Sequence, residues 1–136
     1  MYSEQILKHF QDPQNVGELV EADGVGIAHG GENCPHDIAH FWIRVDRGRV
    51  VEISHKTKGC PVAIASSSMT AVLAEGRTLD EVEALTADMV ADALGGMPER
   101  KLDSIVGPLA LHNAVADYRQ RQGGRAVQAK TDESRI

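Results

Sequence analysis

Lys56-Thr57-Lys58-Gly59-Cys60-Pro61-Val62-Ala63-Ile64-Ala65-Ser66-Ser67-Ser68 changes texture at Cys60. Before it, Val50 to His55 reads as an extended segment. After it, the small and apolar residues run on through Met69-Thr70-Ala71-Val72-Leu73 and stop short of Gly76, as a buried helix would. Pro61 suits the first turn of that helix, where its missing N–H costs nothing. Cys60 therefore stands where a strand hands over to a helix. Unpaired amides and the positive end of the helix dipole favour a thiolate there, preparing a nucleophile or a metal ligand.

Upstream, Ile38 to Val45 reads as a strand, with Phe41, Ile43 and Val45 alternating with Trp42, Arg44 and Asp46. Asp46-Arg47-Gly48 is the expected hairpin turn into Val50, and Val25 to His29 is a further strand. Ser3 can cap a short first helix that uses Ile6, Leu7 and Phe10, stopping at Asp12-Pro13. The turn residues of Gln14 to Gly17 and Asp23-Gly24 then mark a wrapping loop. Downstream, Thr78 and Glu81 form a capping box, and Thr86 caps a further helix that ends at Leu94 before Gly95-Gly96. A last helix runs to about Arg121, with Gly107-Pro108 either beginning it or kinking it. The expectation is an α+β domain over residues 1–122: a small three-stranded antiparallel sheet with helices on one face. Residues 123–136, polar and led by glycine, read as a disordered tail.

Composition narrows the function. A chain of 136 residues that is 42% hydrophobic suits one compact domain. A net charge of -6 without a Lys/Arg stripe speaks against nucleic acid, and no apolar run approaches the roughly 20 residues that span a bilayer. The opening residues lack the pattern of a secretion signal. Two cysteines in such a chain point to a reducing compartment, the cytoplasm, and to thiolate chemistry rather than a structural disulfide.

The second cysteine lies in Gly30-Gly31-Glu32-Asn33-Cys34-Pro35-His36-Asp37, a loop that crowds Cys34, His36 and Asp37 into four positions. Lone cysteines are more often buried apolar fillers than ligands. His29, His40, His55 and His112 read as ordinary core or surface histidines. The Ser66-Ser67-Ser68 run reads as close helix packing rather than as a nucleophile, because no His–Asp pair accompanies it.

The Lys56–Ser68 stretch nevertheless resembles the second-cysteine motif of the IscU/NifU-like iron–sulfur cluster scaffold family. Tyr2-Ser3-Glu4 with Asp12-Pro13-Gln14-Asn15-Val16-Gly17 resembles the family's amino-terminal helix and turn. Gly76-Arg77-Thr78-Leu79-Asp80-Glu81 resembles a later helix start, and Ala114-Val115-Ala116-Asp117-Tyr118 the final helix. The resemblance covers roughly residues 2 to 121 and implies an IscU/SufE-like fold. It also implies three cysteines and an aspartate that bind zinc or iron and hold a transient [2Fe–2S] cluster. Cys34 matches the first cysteine and Cys60 the second. The aspartate, normally two residues after the first cysteine, is Asp37 here, three residues on, with His36 in the gap. The third cysteine is missing. An ungapped register through the final helix assigns its place to Asp103, and a shift of one residue offers Ser104. The family's chaperone motif is reduced to Met97-Pro98-Glu99-Arg100-Lys101, which leaves a dedicated chaperone doubtful.

The expected site is thus Cys34, Cys60 and Asp103 with Asp37 or His36, binding iron or zinc. The implied role is that of a carrier rather than an enzyme, served by a cysteine desulfurase and serving recipient apo iron–sulfur proteins. A carboxylate or imidazole in place of a thiolate makes the site harder, acceptable to zinc and more labile for a cluster. Two other readings compete: a diverged zinc-binding structural or regulatory module of the same fold, and a thiol redox protein that pairs Cys34 with Cys60.

Overall fold

The computed structural model describes residues 2–32, 34–97 and 99–134, with side chains for all of these except 99–100 and 124–134. The elements follow in the order α1 (Glu4–Gln11), β1 (Gly24–His29), β2 (Ile38–Asp46), β3 (Arg49–Lys58), α2 (Pro61–Ala74), α3 (Leu79–Glu83) and α4 (Ala87–Ala93). A 3-10 helix, Glu99–Ser104, then leads into α5 (Gly107–Ser134).

The three strands form one antiparallel sheet in the order β1-β2-β3. Ala28, Ala39, Phe41, Ile43, Val50 and Ile53 are buried on its inner face, against the helices. The β2–β3 hairpin turns through Arg47 and Gly48, both at positive φ (52° and 74°), the handedness that a two-residue hairpin loop needs. α2 lies in the centre, with Val62, Ala63, Ala65 and all of Ser66 to Ala71 buried. The serine run is packing, as its residue types suggested. Ser66 Oγ donates to the Ala63 carbonyl, and Ser68 Oγ accepts from the Gln14 amide at 2.8 Å and meets His9 Nδ1 at 2.7 Å.

α5 crosses the edge of β1 almost backbone to backbone. A Cβ on Gly24 would lie 2.2 Å from the Ala114 carbonyl oxygen, and one on Gly26 would lie 2.1 Å from that of Ala110. Only glycine admits this approach. Asp117 accepts from the Val25 amide and Asn113 donates to the Ile27 carbonyl, each at 2.9 Å, so the outer edge of β1 is occupied. The outer edge of β3 is occupied too: His55 exchanges backbone hydrogen bonds with Asn15 and Gly17, and Val50 with Arg77 and Gly76. Residues 18–23 then strap the far half of the outer sheet face, where Arg44 donates to the Val20 carbonyl.

The caps fall where the residue types placed them. Ser3 accepts from the Ile6 amide, Thr78 and Glu81 complete a capping box, and Thr86 accepts from the Met89 amide. Gly107 begins α5 rather than kinking it. That helix continues to Ser134, past the end expected near Arg121. Thus most of 123–136 lies within it, and 135–136 lie outside the described residues. Ala, Gln, Lys and Arg in this stretch are good helix formers, and Gly123-Gly124 costs about 1 kcal/mol per glycine without forbidding the helix. No helix among the described residues is long and apolar enough to cross a membrane.

Candidate metal centre

Where β3 gives way to α2, Cys60 is the N-cap of α2, extended at φ -69° and ψ 167°, with Pro61 in the first turn. Its amide does not go unpaired. Asp37, only 5% exposed, turns its carboxylate to Cys60: Oδ1 accepts from the Cys60 amide at 3.1 Å, and Oδ2 lies 3.7 Å from Sγ. This contact depends on Gly59, at φ +149°, because a Cβ there would sit 2.1 Å from Asp37 Oδ1. The glycine before the cysteine thus makes room for the carboxylate.

Cys34 to Asp37 form a turn. The Asp37 amide donates to the Cys34 carbonyl at 3.2 Å, closing a four-residue turn with Pro35 second, the position its fixed φ favours. His36 falls at the outer corner and is exposed, whereas Asp37 swings back beneath Cys60. Of the two side chains the sequence offered here, the loop carries the carboxylate inward.

The 3-10 helix closes the third side. Ser104 is fully buried, and its Oγ lies 2.8 Å from Cys34 Sγ and 3.2 Å from Cys60 Sγ. One hydroxyl therefore meets both sulfurs. Asp103, assigned to this place by the ungapped register, binds the loop instead: its carbonyl accepts from the Gly31 amide at 3.1 Å, and its carboxyl group lies against Gly31. Asn33 and Pro98, part of the loop and of the reduced chaperone stretch, lie outside the described residues.

The donor set is therefore two thiols, one carboxylate and one hydroxyl, with both cysteines free and half-buried. Among the described residues, no three His, Cys, Asp or Glu side chains surround a common point close enough to hold a metal. Two ligands of one tetrahedral zinc, sulfur at about 2.3 Å and oxygen at about 2.0 Å, stand roughly 3.5 Å apart. Ser104 Oγ sits closer than that to both sulfurs, whereas Asp37 Oδ2 stands 3.7 Å from Cys60 Sγ, so an ion that included Ser104 would have to part the hydroxyl from the two thiols. Sequence reasoning offered Ser104 only as an alternative, and its sole signal was the one-residue slip.

Comparison with known proteins agrees with this architecture. The family model described as NifU-like N terminal domain matches residues 1–125. The chain is 42% identical over 124 residues to iron-sulfur cluster assembly scaffold protein IscU 1 of Archaeoglobus fulgidus, covering 90% of this chain and 80% of that one. It is 36% identical over 124 residues to the IscU scaffold protein of Haemophilus influenzae, covering 90% and 98%. Among solved structures, the N-terminal NifU-like protein of Brucella abortus shares the fold at a TM-score of 0.69 and 21% identity, covering 86% of this chain and 93% of that one. With its fold, its two-cysteine end and these relatives in agreement, the chain belongs to the NifU-like N-terminal domain family.

Proposed function

We propose that this protein is an iron–sulfur cluster assembly scaffold, a carrier whose cargo is iron and sulfide. The observation that carries this reading is the meeting of Cys34, Asp37, Cys60 and Ser104 at one end of the sheet. Thiolates suit iron–sulfide cargo, and the oxygen donors bind it less firmly, which fits a protein that must let go of what it holds. The cargo proposed is a [2Fe–2S] cluster, with zinc or iron as the single ion the same donors would take. Cys34 and Cys60 supply the soft ligands. Asp37 fixes the Cys60 backbone and offers a carboxylate oxygen, and Ser104, rather than Asp103, stands in the third position. His36, at the outer corner of its turn, is free to swing toward cargo that arrives from outside.

The partners of this reading are a cysteine desulfurase that supplies sulfur and recipient apo iron–sulfur proteins. Its compartment is the cytoplasm, where two free thiols stay reduced. The test is metal and acid-labile sulfide content after anaerobic purification and reconstitution, alongside a Cys60→Ser control. Iron and sulfide together, lost in the control, are expected. Zinc alone, with no sulfide and no charge-transfer absorption after reconstitution, would instead support the diverged zinc module.

A further inference from the structure

Both edges of the sheet are closed to an added strand, and helices cover its inner face, so a partner that meets the sheet must meet its outer face. The strap of residues 18–23 lies over the end that carries Arg44, and the row of Trp42 with its cross-strand partner Ser54 marks its border. The half next to the cysteines is open and is built from two cross-strand rows: His29, Ile38 and Lys58, then Ile27, His40 and Lys56. Ile27 is 47% exposed, and Trp42 stands below the second row with its ring edge-on to His40 at 5.8 Å. An apolar and aromatic centre is thus rimmed by basic groups, on a chain whose net charge is -6. Lys56 reaches Glu18 at 3.7 Å, but both side chains are exposed, so the pair is weak and Lys56 can exchange partners.

The first row runs straight into the candidate site. His29 precedes Gly30, whose amide pairs with the Asp37 carbonyl; Ile38 follows Asp37; and Lys58 is two residues from Cys60. A protein seated on this half-face would touch the cysteine loops without threading past any other element. We propose that this half-face is the docking surface for an acidic recipient protein, held by Lys56 and Lys58 at the rim and by Ile27 and Trp42 at the centre. The proposal deepens the scaffold reading and rests on it for the partner's role. Charge complementarity selects the partner: the basic rim attracts a strongly acidic protein, whereas face to face with a second copy it would meet the same lysines, and the attraction speeds the encounter.

Trp42, the single tryptophan of the chain, reports on the surface directly. The metal-free, reduced full chain is titrated with an acidic plant-type apo-ferredoxin that lacks tryptophan, and Trp42 emission is followed. A saturable change is expected, weakened about tenfold or more by Lys56→Glu with Lys58→Glu or by Ile27→Glu, and weakened again between low and high salt. Met89→Glu, an exposed change on α4, should leave it unaltered. Circular dichroism and melting temperature check that each variant is folded, and His29→Glu provides a second rim change should one misfold. No emission change, or binding indifferent to these charges and to Ile27, overturns the proposal. Because no cluster is loaded, a failure to bind here is distinguishable from a failure to assemble cargo, which the iron and sulfide measurement reads separately.

Discussion

Ser104 holds a position between two sulfurs with a hydroxyl that can donate one proton and accept another, so the same side chain can satisfy a thiol and a thiolate together. Replacing it with cysteine supplies a third soft ligand at the same place. Ser104→Cys is expected to slow the loss of reconstituted iron and sulfide to a chelator several-fold, followed as decay of the charge-transfer band, and Asp103→Cys should not. An equal gain from Asp103→Cys would restore the ungapped register. Asp37 is a second lever. Its carboxylate satisfies a Cys60 amide that would otherwise lie half-buried at the helix start, and Asp37→Ala removes that acceptor. A loss of about 1–3 kcal/mol in the metal-free protein is expected from denaturant midpoints. A midpoint within error of the unaltered chain would show that water replaces the carboxylate at no cost.

At the level of elements, the short helices rely on their caps, because α3 and α4 have only five and seven residues with which to offset the cost of starting a helix. Thr78→Ala, which opens the capping box with Glu81, is expected to destabilise by about 1 kcal/mol by denaturant titration. An undiminished midpoint would mean that packing of Leu79 and Val82 alone holds α3. These starts were legible because a cap is a local chemical signal: Ser3, Thr78 and Thr86 each accept from the amide three residues ahead. The strands were legible for a similar reason, since alternation along β2 separates Phe41 and Ile43 from Trp42 and Arg44. The meeting of Ser104 with both sulfurs was not. An ungapped register assigns Asp103 to the third place, and residue counting alone does not show that the 3-10 turn Glu99–Ser104 brings Ser104 to the thiols while the Asp103 carbonyl pairs with Gly31. Likewise, nothing in Cys34-Pro35-His36-Asp37 says which side chain faces inward until the turn is seen to close between Cys34 and Asp37.

Across the whole molecule, His55 couples the sheet to the amino-terminal loop. It is 1% exposed and stacks on Phe41 at 5.3 Å; its Nε2 donates to the Gln14 carbonyl at 2.9 Å, and Nδ1 lies 3.2 Å from the Thr57 hydroxyl. Burial pushes its pKa below the ordinary histidine value, with the Gln14 carbonyl pulling partly the other way. His9, desolvated beside Lys8, shifts in the same direction. A histidine whose folded pKa is depressed adds stability above its unfolded pKa, near 6.5, and loses that stability as pH falls toward the folded value, because the unfolded chain takes up the proton first. The metal-free protein should therefore melt at a lower temperature at pH 5.5 than at pH 7.5, and His55→Gln should flatten that dependence while lowering stability at the higher pH. An unchanged slope in the variant would assign the effect to other groups. The close crossing of α5 over Gly24 and Gly26 has a consequence for biosynthesis. The first strand cannot be sealed until residues 110–117 have been made, some ninety positions later, so the fold closes by its most distant contacts and does so late. During translation both cysteines leave the ribosome well before Ser104 and the last helix arrive to enclose them. On the nascent chain the two thiols are thus bare, and the newborn protein is more open to stray metal and oxidant than the finished one.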